Sequence, residues 1–416
     1  MDSIKTVAVI GLGYIGLPTA AILATNGLNV IGVDVNEKTV EAVNRGEVPF
    51  VEPDLAVHVS GAVSQGHLKA ALDTPSADAY IVAVPTPFKA DRSADLSFIE
   101  AAAHGIAPQL QGGELIILES TSPPRATRYM ADVILGLRPD LSIDGQDGRP
   151  TIDIAHCPER VLPGRVMIEL VTNDRIVGGV TSRAAERAKA LYSVFCQGEI
   201  LLTDDVTAEM AKLVENSFRD VNIAFANELS LISDKLGIDV WELIRLANHH
   251  PRVNILQPGP GVGGHCIAVD PWFIVDADPS NSRIIRTARE VNDSKPGWVV
   301  DKVLEAVASA EDNVEVAVLG LAFKPNIDDL RESPSVEITR TLAEKLPHHV
   351  VRAVEPHIVE LPTALGSLPN VRLSNLDEAL TAAAVVVLLV DHNEFLDLGE
   401  RLEEQTVLDV RGVLSR

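Results

Sequence analysis

The apolar positions in the first half of the chain form short continuous runs that alternate with longer amphipathic segments. This pattern predicts a buried strand at Thr6–Ile10, a helix at Tyr14–Asn26 and a second strand at Asn29–Asp34. The same pattern predicts further strands at Ala79–Val84, Glu114–Glu119, Thr151–Ala155, Arg175–Val180 and Glu199–Thr203. Continuous apolar strands between helices indicate a parallel sheet that is covered on both faces.

The pattern changes in the middle of the chain, where helical periodicity replaces the alternation. Val206–Leu236 has no Pro or Gly and predicts one long helix. A shorter helix is predicted at Val240–Asn248, with Asp239 placed to cap its first turn. Pro251–Gly264 is rich in Pro and Gly and predicts a constrained loop. Two more helices are predicted at Arg283–Asp293 and Trp298–Ala310.

Alternation returns after residue 314 and predicts a second, smaller α/β unit. Its expected strands are Val316–Leu319, Val350–Val354, Val385–Val390 and Thr406–Val410. The fold class is therefore α/β, with two Rossmann-like, doubly wound domains joined by a helical middle. We expect the boundaries at 1–204, 205–310 and 311–416.

Composition narrows the range of partners. The 416 residues include 46% hydrophobic residues and carry a formal net charge of -24. Such acidity argues against nucleic acid or an anionic membrane as a general partner, although it leaves an anionic small substrate open. The longest apolar run, Ala382–Val390, is too short to span a bilayer. We expect a cytoplasmic protein with no secretory signal.

Three cysteines, at positions 157, 196 and 266, provide no disulfide framework and fit a reducing compartment. No Cys or His cluster has the spacing of zinc ligands, so no metal is expected. Cys157 and Cys196 are interpreted as small buried apolar residues. Cys266 is different because it follows Gly263 and Gly264, where the backbone can approach a ligand closely.

The clearest chemical motif is Gly11-x-Gly13-x-x-Gly16, which follows a predicted strand and opens a predicted helix. Glycines at this spacing make a tight turn, let a pyrophosphate approach the backbone and pack the helix on the strand. Asp34 ends the next strand, where an acid binds ribose hydroxyls and repels a 2'-phosphate. The motif predicts dinucleotide binding and favours NAD over NADP.

A thiol in a glycine-rich loop, in a chain that also has a dinucleotide motif, suggests more than carbonyl formation. As a thiolate, Cys266 can attack a bound aldehyde, and hydride loss from the adduct then leaves a thioester. The pair of motifs thus suggests a four-electron oxidation of an alcohol to an acid. From spacing alone, the alternative of a buried structural cysteine stays open. Asp270 is either an orienting acid or a helix cap.

Polar residues elsewhere could assist this chemistry. Lys212, Asn216 and Arg219 lie on one helical face, where they could steady an oxyanion or could simply be a solvated face. Two further groups of side chains could neutralise a diphosphate. They are Glu159, Arg160 and Arg165 after a predicted strand, and His249, His250, Arg252 and Asn254 before Cys266.

Long ordered strings now make the chain similar to a known family. They are GLGYIGLPTA at 11–20, AVPTPF at 83–88, ESTSP at 119–123, CPERVLPG at 157–164, AEMAKLVENSFRDVNIAFANELSL at 208–231, HPRVNILQPGPGVGGHCIAVDPWF at 250–273 and GLAFKPNIDDLRESP at 320–334. With these strings, the chain resembles the UDP-glucose/GDP-mannose dehydrogenase family over nearly its whole length. The resemblance implies NAD bound by the N-terminal domain, UDP bound by the C-terminal domain and a homodimer contact on the long helix.

The resemblance also implies roles for individual residues. Cys266 would be the nucleophile and Lys212 the proton donor and acceptor, with Asn216 and Asp270 beside them. The implied NAD contacts are Gly11, Gly13, Tyr14, Ile15, Gly16, Asp34, Lys38, Thr86, Thr121 and Arg331. The implied sugar-nucleotide contacts are Arg160, Val161, Lys212, Asn216, Arg219, His250, Arg252, Gly263, Phe323, Lys324 and Arg411. Arg252 would reach the site of a neighbouring subunit.

This chain departs from the family's UDP-glucose members at two positions, which limits how far the roles of their residues can be assigned to it. This chain has Pro163 where those members carry a second acid, and it has His265 before the cysteine, where they usually lack histidine. Both differences point away from UDP-glucose as the substrate. The group that activates the hydrolytic water stays open, with Glu159 and Asp270 as candidates. A nucleotide-sugar-binding regulator without turnover is disfavoured, because the four polar residues of the implied centre are all present.

Overall fold

The structure is a computed structural model that describes residues 4–89, 91–162, 164–264, 267–310 and 314–414. The described residues form two compact units. The first contains residues up to 215 together with 272–277, and the second contains 216–271 and the residues from 278 onwards. Cys266, His265 and Pro163 lie outside the described residues.

The first unit is built on an eight-stranded sheet. Its strands are β1 Thr6–Ile10, β2 Asn29–Val33, β3 Leu68–Ala71, β4 Ala79–Val82, β5 Leu115–Leu118, β6 Asp153–His156, β7 Arg175–Gly179 and β8 Ile200–Asp204. The spatial order is β3-β2-β1-β4-β5-β6-β7-β8. The sequence predicted seven of these strands, but β3 was missed.

The expectation of a wholly parallel sheet is wrong at one edge. Strands β1 to β6 pair in parallel, but β7 pairs antiparallel with β6 and then parallel with β8. Apolar runs predict burial on both faces but carry no information on strand direction. The result is a parallel sheet with two reversed strands at its far edge.

Helices cover both faces of this sheet. They are α1 Gly16–Thr25, α2 Glu37–Asn44, α3 Leu55–Ser64, α4 Ser97–Ile106, α5 Ala126–Leu137, α6 Val166–Thr172 and α7 Ser182–Tyr192. Alternate residues of β1 enter separate cores, with Val7 and Val9 in one and Ala8 and Ile10 in the other. This arrangement confirms the doubly wound architecture.

The long helix α8 spans Asp205–Leu236, as the sequence predicted. It is followed by α9 Val240–Ala247, α10 Asp270–Ala277 and α11 Arg283–Ala308. The Asp239 side chain accepts a hydrogen bond from the backbone N–H of Trp241, which confirms the predicted cap. No helix in the described part of the chain combines the length and apolar character needed to cross a membrane.

The prediction of two separate helices at 283–293 and 298–310 is wrong, because α11 is continuous and contains Pro296. Proline removes one helical hydrogen bond and usually ends a helix. Here the residues on both sides of it are buried, including Asn292, Val299 and Val300. Their burial on both sides keeps the helix intact across the proline.

The second unit contains a five-stranded parallel sheet. Its strands are β9 Glu315–Leu319, β10 Val351–Val354, β11 Val371–Leu373, β12 Ala383–Leu388 and β13 Thr406–Asp409, in the order β11-β10-β9-β12-β13. The helices α12 Pro334–Lys345, α13 Thr363–Gly366 and α14 Leu376–Ala382 accompany it. The sequence missed β11, but it predicted the other four strands and the Rossmann-like character of the unit.

Candidate active site

The glycine motif forms a tight turn between β1 and α1. Gly11 has φ of +95°, and a Cβ built there would lie 2.4 Å from the carbonyl oxygen of Ala83. A Cβ on Gly16 would lie 1.9 Å from the carbonyl oxygen of Gly11, whereas one on Gly13 would meet nothing within 4 Å. Two glycines are therefore required by the fold, and Gly13 keeps one side of the turn open.

This open side fits a dinucleotide. Helix α1 begins directly after Ile15, which provides no side-chain cap for the first-turn N–H groups. Such N–H groups bind phosphate, and an uncapped helix start next to an open glycine is the geometry that a pyrophosphate needs. The residues present therefore fit NAD.

Asp34 lies beside the same turn. Its Oδ2 accepts a hydrogen bond from the backbone N–H of Leu12 at 2.9 Å, and its Oδ1 accepts one from Asn36 at 2.8 Å. The residue is half-buried and directly follows β2, at the carboxyl edge of the sheet where a ribose would bind. Lys38 is exposed in the first turn of α2.

Two threonines extend this edge of the sheet. Thr86 follows β4 and Thr121 follows β5, and the Thr86 hydroxyl donates a hydrogen bond to the carbonyl oxygen of Thr121. The carboxyl ends of parallel strands meet at one edge, so both lie on the side of the glycine turn. Arg331, the remaining implied NAD contact, belongs to the second unit, where it pairs with Asp329 at 2.6 Å.

Tyr14 connects the glycine turn to a second loop. Its hydroxyl donates a hydrogen bond to Glu52, a buried acid that sequence reasoning missed. Glu52 also accepts hydrogen bonds from the backbone N–H groups of Gly164 at 2.9 Å and Val166 at 2.8 Å. The only sequence signal was an acid two residues after the apolar Phe50. The turn and the segment around Gly164 are thus held by one carboxylate.

Glu159 is held in a buried cluster of charges. Arg175 lies 3.4 Å from Glu159 and 3.8 Å from Glu119, so two carboxyl groups share one guanidinium. Burial, reinforced by repulsion from Glu159, raises the pKa of Glu119 to about 7. Glu159 also accepts a hydrogen bond from the N–H of Arg160 at 2.6 Å. Both of its oxygens have partners, and its role in activating water stays a prediction.

The neighbours of Glu159 are also constrained. Arg160 forms an ion pair with Glu215 of α8 at 2.6 Å, and Val161 packs against the core of the first unit. Cys157 is fully buried, and burial raises the pKa of its thiol to about 12, which confirms its structural interpretation. Cys196 is half-buried against the same core.

The three polar residues Lys212, Asn216 and Arg219 all lie on α8. The side chain of Asn216 donates a hydrogen bond to Asp270, which is buried at the start of α10. Lys212 lies one helical turn before Asn216, is half-buried and has no hydrogen-bonding partner among the described residues. Arg219 is exposed. Asp270 is the first residue of α10, but its side chain binds Asn216, which favours an orienting role.

The loop before Cys266 is packed against residues implied in UDP binding. A Cβ on Gly263 would lie 2.8 Å from Cβ of Phe323, and one on Gly259 would lie 2.8 Å from a guanidinium nitrogen of Arg411. Arg411 itself pairs with Asp391 at 2.9 Å. Lys324, the residue after Phe323, is exposed. The structure thus brings Gly263, Phe323 and Arg411 together within the second unit.

His250 and Arg252 are exposed at the start of this loop, where the backbone N–H of Arg252 donates to Nδ1 of His250 at 3.3 Å. Asn248 fixes the loop by exchanging hydrogen bonds with Ile255 at 3.0 and 2.7 Å. These contacts hold the loop but leave the side chains of His250 and Arg252 accessible to a ligand.

Three family models match successive parts of the chain. They describe the NAD binding domain at residues 5–196, the central domain at 206–294 and the UDP binding domain at 317–416 of one family. The chain belongs to the UDP-glucose/GDP-mannose dehydrogenase family. Membership makes it an NAD-dependent oxidoreductase acting on a nucleotide sugar, and it confirms the predicted cofactor.

Full-length relatives agree with this family. The chain is 57% identical to the UDP-N-acetyl-D-mannosamine dehydrogenase of Salmonella typhi, covering 99% of both chains. It is 56% identical to the NDP-N-acetyl-D-galactosaminuronic acid dehydrogenase of Ralstonia nicotianae, covering 99% of this chain and 96% of that one. Among solved structures, the UDP-N-acetyl-mannosamine dehydrogenase of S. aureus matches with a TM-score of 0.85 and 42% identity, over 99% of this chain and 96% of that one.

Proposed function

We propose that this dehydrogenase oxidises UDP-N-acetyl-D-mannosamine to UDP-N-acetyl-D-mannosaminuronate, a precursor for surface polysaccharide. The primary alcohol and one water give the carboxylic acid, two molecules of NAD each accept a hydride, and two protons are released. The observation that carries the choice of substrate is the 57% identity, over 99% of the chain, to a relative named UDP-N-acetyl-D-mannosamine dehydrogenase. Pro163 and His265, which differ from the UDP-glucose pattern, support it.

The chemistry of the site supports the four-electron course. Lys212 has no described partner, so its ammonium is available to steady the alkoxide of the first oxidation and the oxyanion of the second. Asn216, held by Asp270, adds an oriented amide one turn away. Cys266 would hold the aldehyde carbon as a hemithioacetal and then as a thioester. When bound, NAD supplies the hydride acceptor for each oxidation.

A second substrate deserves direct comparison, because the Ralstonia relative is 56% identical and is named for an N-acetylgalactosaminuronic product. The test is to incubate the enzyme with NAD and each of four nucleotide sugars while following NADH absorbance. These are UDP-N-acetylmannosamine, UDP-N-acetylgalactosamine, UDP-N-acetylglucosamine and UDP-glucose. We expect kcat/KM to be at least tenfold higher for the mannosamine sugar. A higher value for any other sugar would refute the proposed substrate.

Covalent catalysis is tested by Cys266→Ser. We expect this variant to bind NAD and the sugar nucleotide but to lose nearly all steady acid production. Turnover near the wild-type rate in Cys266→Ser would refute the thioester.

Lys212→Ala should lower kcat by about two to three orders of magnitude, because an oxyanion donor is lost. Ligand-induced stabilisation of the wild type without any NADH would support a regulator instead.

We further propose a homodimer in which α8 forms the contact. Large apolar side chains on this helix are exposed, including Phe218 at 71%, Phe225 at 52% and Ile232 at 48%. Beside them, a groove of about 420 Å³ is lined by Phe225 and by Ile284 of α11, which is 73% exposed. Exposed apolar patches of this kind are typical of protein interfaces. Phe225→Glu should give monomers in sedimentation velocity, and an unchanged dimer would contradict this contact.

We propose a separate function for each of the three domains. Residues 1–204 would bind NAD, 205–310 would carry the catalytic loop and the dimer contact, and 311–416 would bind UDP. The ranges of the three family matches fall inside these segments. The small, odd number of cysteines supports a reducing, cytoplasmic location.

A further inference from the structure

A row of buried polar side chains runs between α8 and α11. Asp220 and Asn227 come from α8, and Arg289 and Asn292 come from α11. Each of the four is at most 1% exposed. Buried polar groups are costly unless they are hydrogen-bonded, so a row of four calls for a physical explanation.

Hydrogen bonds connect the row from end to end. Arg289 donates to Oδ1 of Asp220 at 2.5 Å, and Nδ2 of Asn292 donates to the same oxygen at 2.8 Å. Nδ2 of Asn227 then donates to Oδ1 of Asn292 at 2.8 Å. Finally, Oδ1 of Asn227 accepts the backbone N–H of Gly259 at 2.9 Å.

The row has a fixed direction. An ionised aspartate only accepts hydrogen bonds, so Asp220 requires the NH₂ group of Asn292 to face it. The carbonyl oxygen of Asn292 then faces Asn227 and requires the NH₂ group of that residue. The oxygen of Asn227 is thereby turned towards Gly259. The carboxylate of Asp220 and its backbone carbonyl, which accepts from Nδ2 of Asn292 at 3.1 Å, together set the orientation of both amides.

The far end of the row reaches the loop that precedes the proposed nucleophile. Gly259 is buried, and Gly261 packs against Pro296 of α11, where its Cβ would lie 3.2 Å from the proline ring. Gly263 is enclosed by Glu332 and Phe323. Cys266 follows Gly259 by seven residues in the sequence. Without Asn227, the N–H of Gly259 would lose its acceptor inside the protein.

We propose that Asn227 is a positioning residue for the catalytic loop, and that Asp220 sets its orientation through Asn292. This inference deepens the proposed function and rests on it. Asn227 does not touch the reacting atoms; it acts by fixing Gly259 and, through it, the path of the backbone towards Cys266. Displacement of a reacting group by about 1 Å can cost about a hundredfold in rate.

The first test uses Asn227→Ser, which introduces no charge, with Asn375→Ser as the matched control. Asn375 is exposed in the same unit and caps α14 by accepting the N–H of Glu378, a cap that serine provides equally well. We expect Asn227→Ser to lower kcat at least tenfold with an unchanged KM for NAD, because the glycine turn lies in the other unit. The control should stay within twofold of wild type.

The second readout is the reactivity of the Cys266 thiol, which a purely structural role would leave unchanged. The rate of iodoacetamide labelling is followed against pH by mass spectrometry, with the half-buried Cys196 as the reference in the same molecule. We expect the labelling midpoint of Cys266 to move by at least half a pH unit in Asn227→Ser and to stay in place in the control. An unmoved midpoint, or a kcat within threefold of wild type, would overturn the proposal.

The direction of the row is tested by comparing a neutral and an acidic replacement of the same residue. Asn227→Asp keeps an acceptor for Gly259 but places an oxygen against Oδ1 of Asn292, so we expect about a hundredfold loss of kcat, a larger loss than in Asn227→Ser. Equal losses of kcat in Asn227→Asp and Asn227→Ser would refute a directional row.

These outcomes are separable from failure of the proposed function. Labelling of Cys266 needs neither NAD nor a sugar nucleotide, whereas wild-type NADH formation tests the function itself. A moved midpoint in a protein without dehydrogenase activity would retain the positioning role and reject the reaction. Dehydrogenase activity in the wild type, together with an unmoved labelling midpoint of Cys266 in Asn227→Ser, would retain the reaction and reject the positioning role.

Discussion

The two units contain the same turn at the start of their sheets. Gly11 after β1 and Gly320 after β9 have φ of +95° and +92°. Each donates its backbone N–H to the end of the neighbouring strand, to Val33 at 2.7 Å and to Val354 at 2.8 Å. A carboxylate directly after that strand then accepts the N–H of the next loop residue. This acid is Asp34 in the first unit and Glu355 in the second.

The two carboxylates differ in what else they contact. Asp34 is half-buried and stays accessible to a ligand. Glu355 is buried, accepts the N–H groups of Leu321 and Ala322, and is hydrogen-bonded to His392 at 3.1 Å. Because Nδ1 of His392 accepts the N–H of Asn326, its Nε2 carries the proton and donates to Glu355. Glu355 is thus fully used in holding its own loop.

The difference continues along the chain. In the first unit, helix α1 begins at Gly16, so backbone N–H groups stand at the turn. In the second unit, helix α12 begins only at Pro334, and the longer loop carries Phe323 and Lys324. The same turn is therefore expected to present backbone and an acid to NAD in one unit. In the other, it presents side chains, as the expected recognition of UDP requires.

The largest effects are expected at the two turns themselves. Gly11→Ala and Gly320→Ala would each place a Cβ 2.4 Å from a neighbouring atom at strongly positive φ. We expect each to cost about 3 kcal/mol or more in the free energy of unfolding, measured by urea denaturation. Gly13→Ala is the matched control, since its Cβ meets nothing. That variant should keep its stability but lose NAD affinity at least tenfold. If Gly320→Ala kept the stability of the wild type, the turns at Gly11 and Gly320 would not be equivalent.

The next effect separates the two carboxylates. Asp34→Asn should raise the KM for NAD about tenfold and weaken discrimination against NADP, with little change in stability. Glu355→Gln should leave the KM for NAD unchanged and cost about 3 kcal/mol, because it disrupts a buried hydrogen-bonded pair. Kinetics and urea denaturation on both variants check this split. An equal rise of the KM for NAD in both variants would show that Asp34 and Glu355 have the same role.

A smaller effect concerns pH. Burial raises the pKa of Glu119 in the first unit to about 7, whereas at Glu355 burial is outweighed by hydrogen bonds from His392 and Leu321, which lower its pKa below 4.5. Glu119 therefore holds its proton longer in the folded state, and its contribution to stability falls as pH rises from about 4.5 to about 7. The contribution of Glu355 is present above about 4.5 and is lost as pH falls through its lowered pKa.

Amide substitutions test these opposite slopes. Urea denaturation of Glu119→Gln against wild type should remove a decline in stability between about pH 4.5 and 7. Glu355→Gln should remove a loss of stability confined to more acidic solution. Equal pH profiles for either variant and the wild type would contradict the assigned direction.

The sequence predicted the parts of the fold that long apolar runs encode. The central strands and the helix α8 were recognisable because buried strands and uninterrupted helical periods are strong local signals. Strands β3 and β11, with the sequences LKAA and VRL, were missed because they are short, lie at sheet edges and contain charged residues. The reversed direction of β7 was not encoded in any local pattern.

The candidate site was predictable to a different extent. The glycine turn and Asp34 follow from a local motif, but pairs distant in sequence do not. Glu52 binds Gly164 across 112 positions, and Asn227 binds Asn292 across 65. Only the folded chain brings these residues together. The prediction of α11 was wrong at Pro296 because the sequence alone does not show that the residues on both sides of this proline are buried.

The central claim is that one chain carries an alcohol through to an acid. The most direct measurement is the number of NADH molecules formed for each UDP-N-acetylmannosamine consumed, with the sugar nucleotide limiting and NAD in excess. The account predicts two NADH and one uronate. One NADH with a released aldehyde would contradict it.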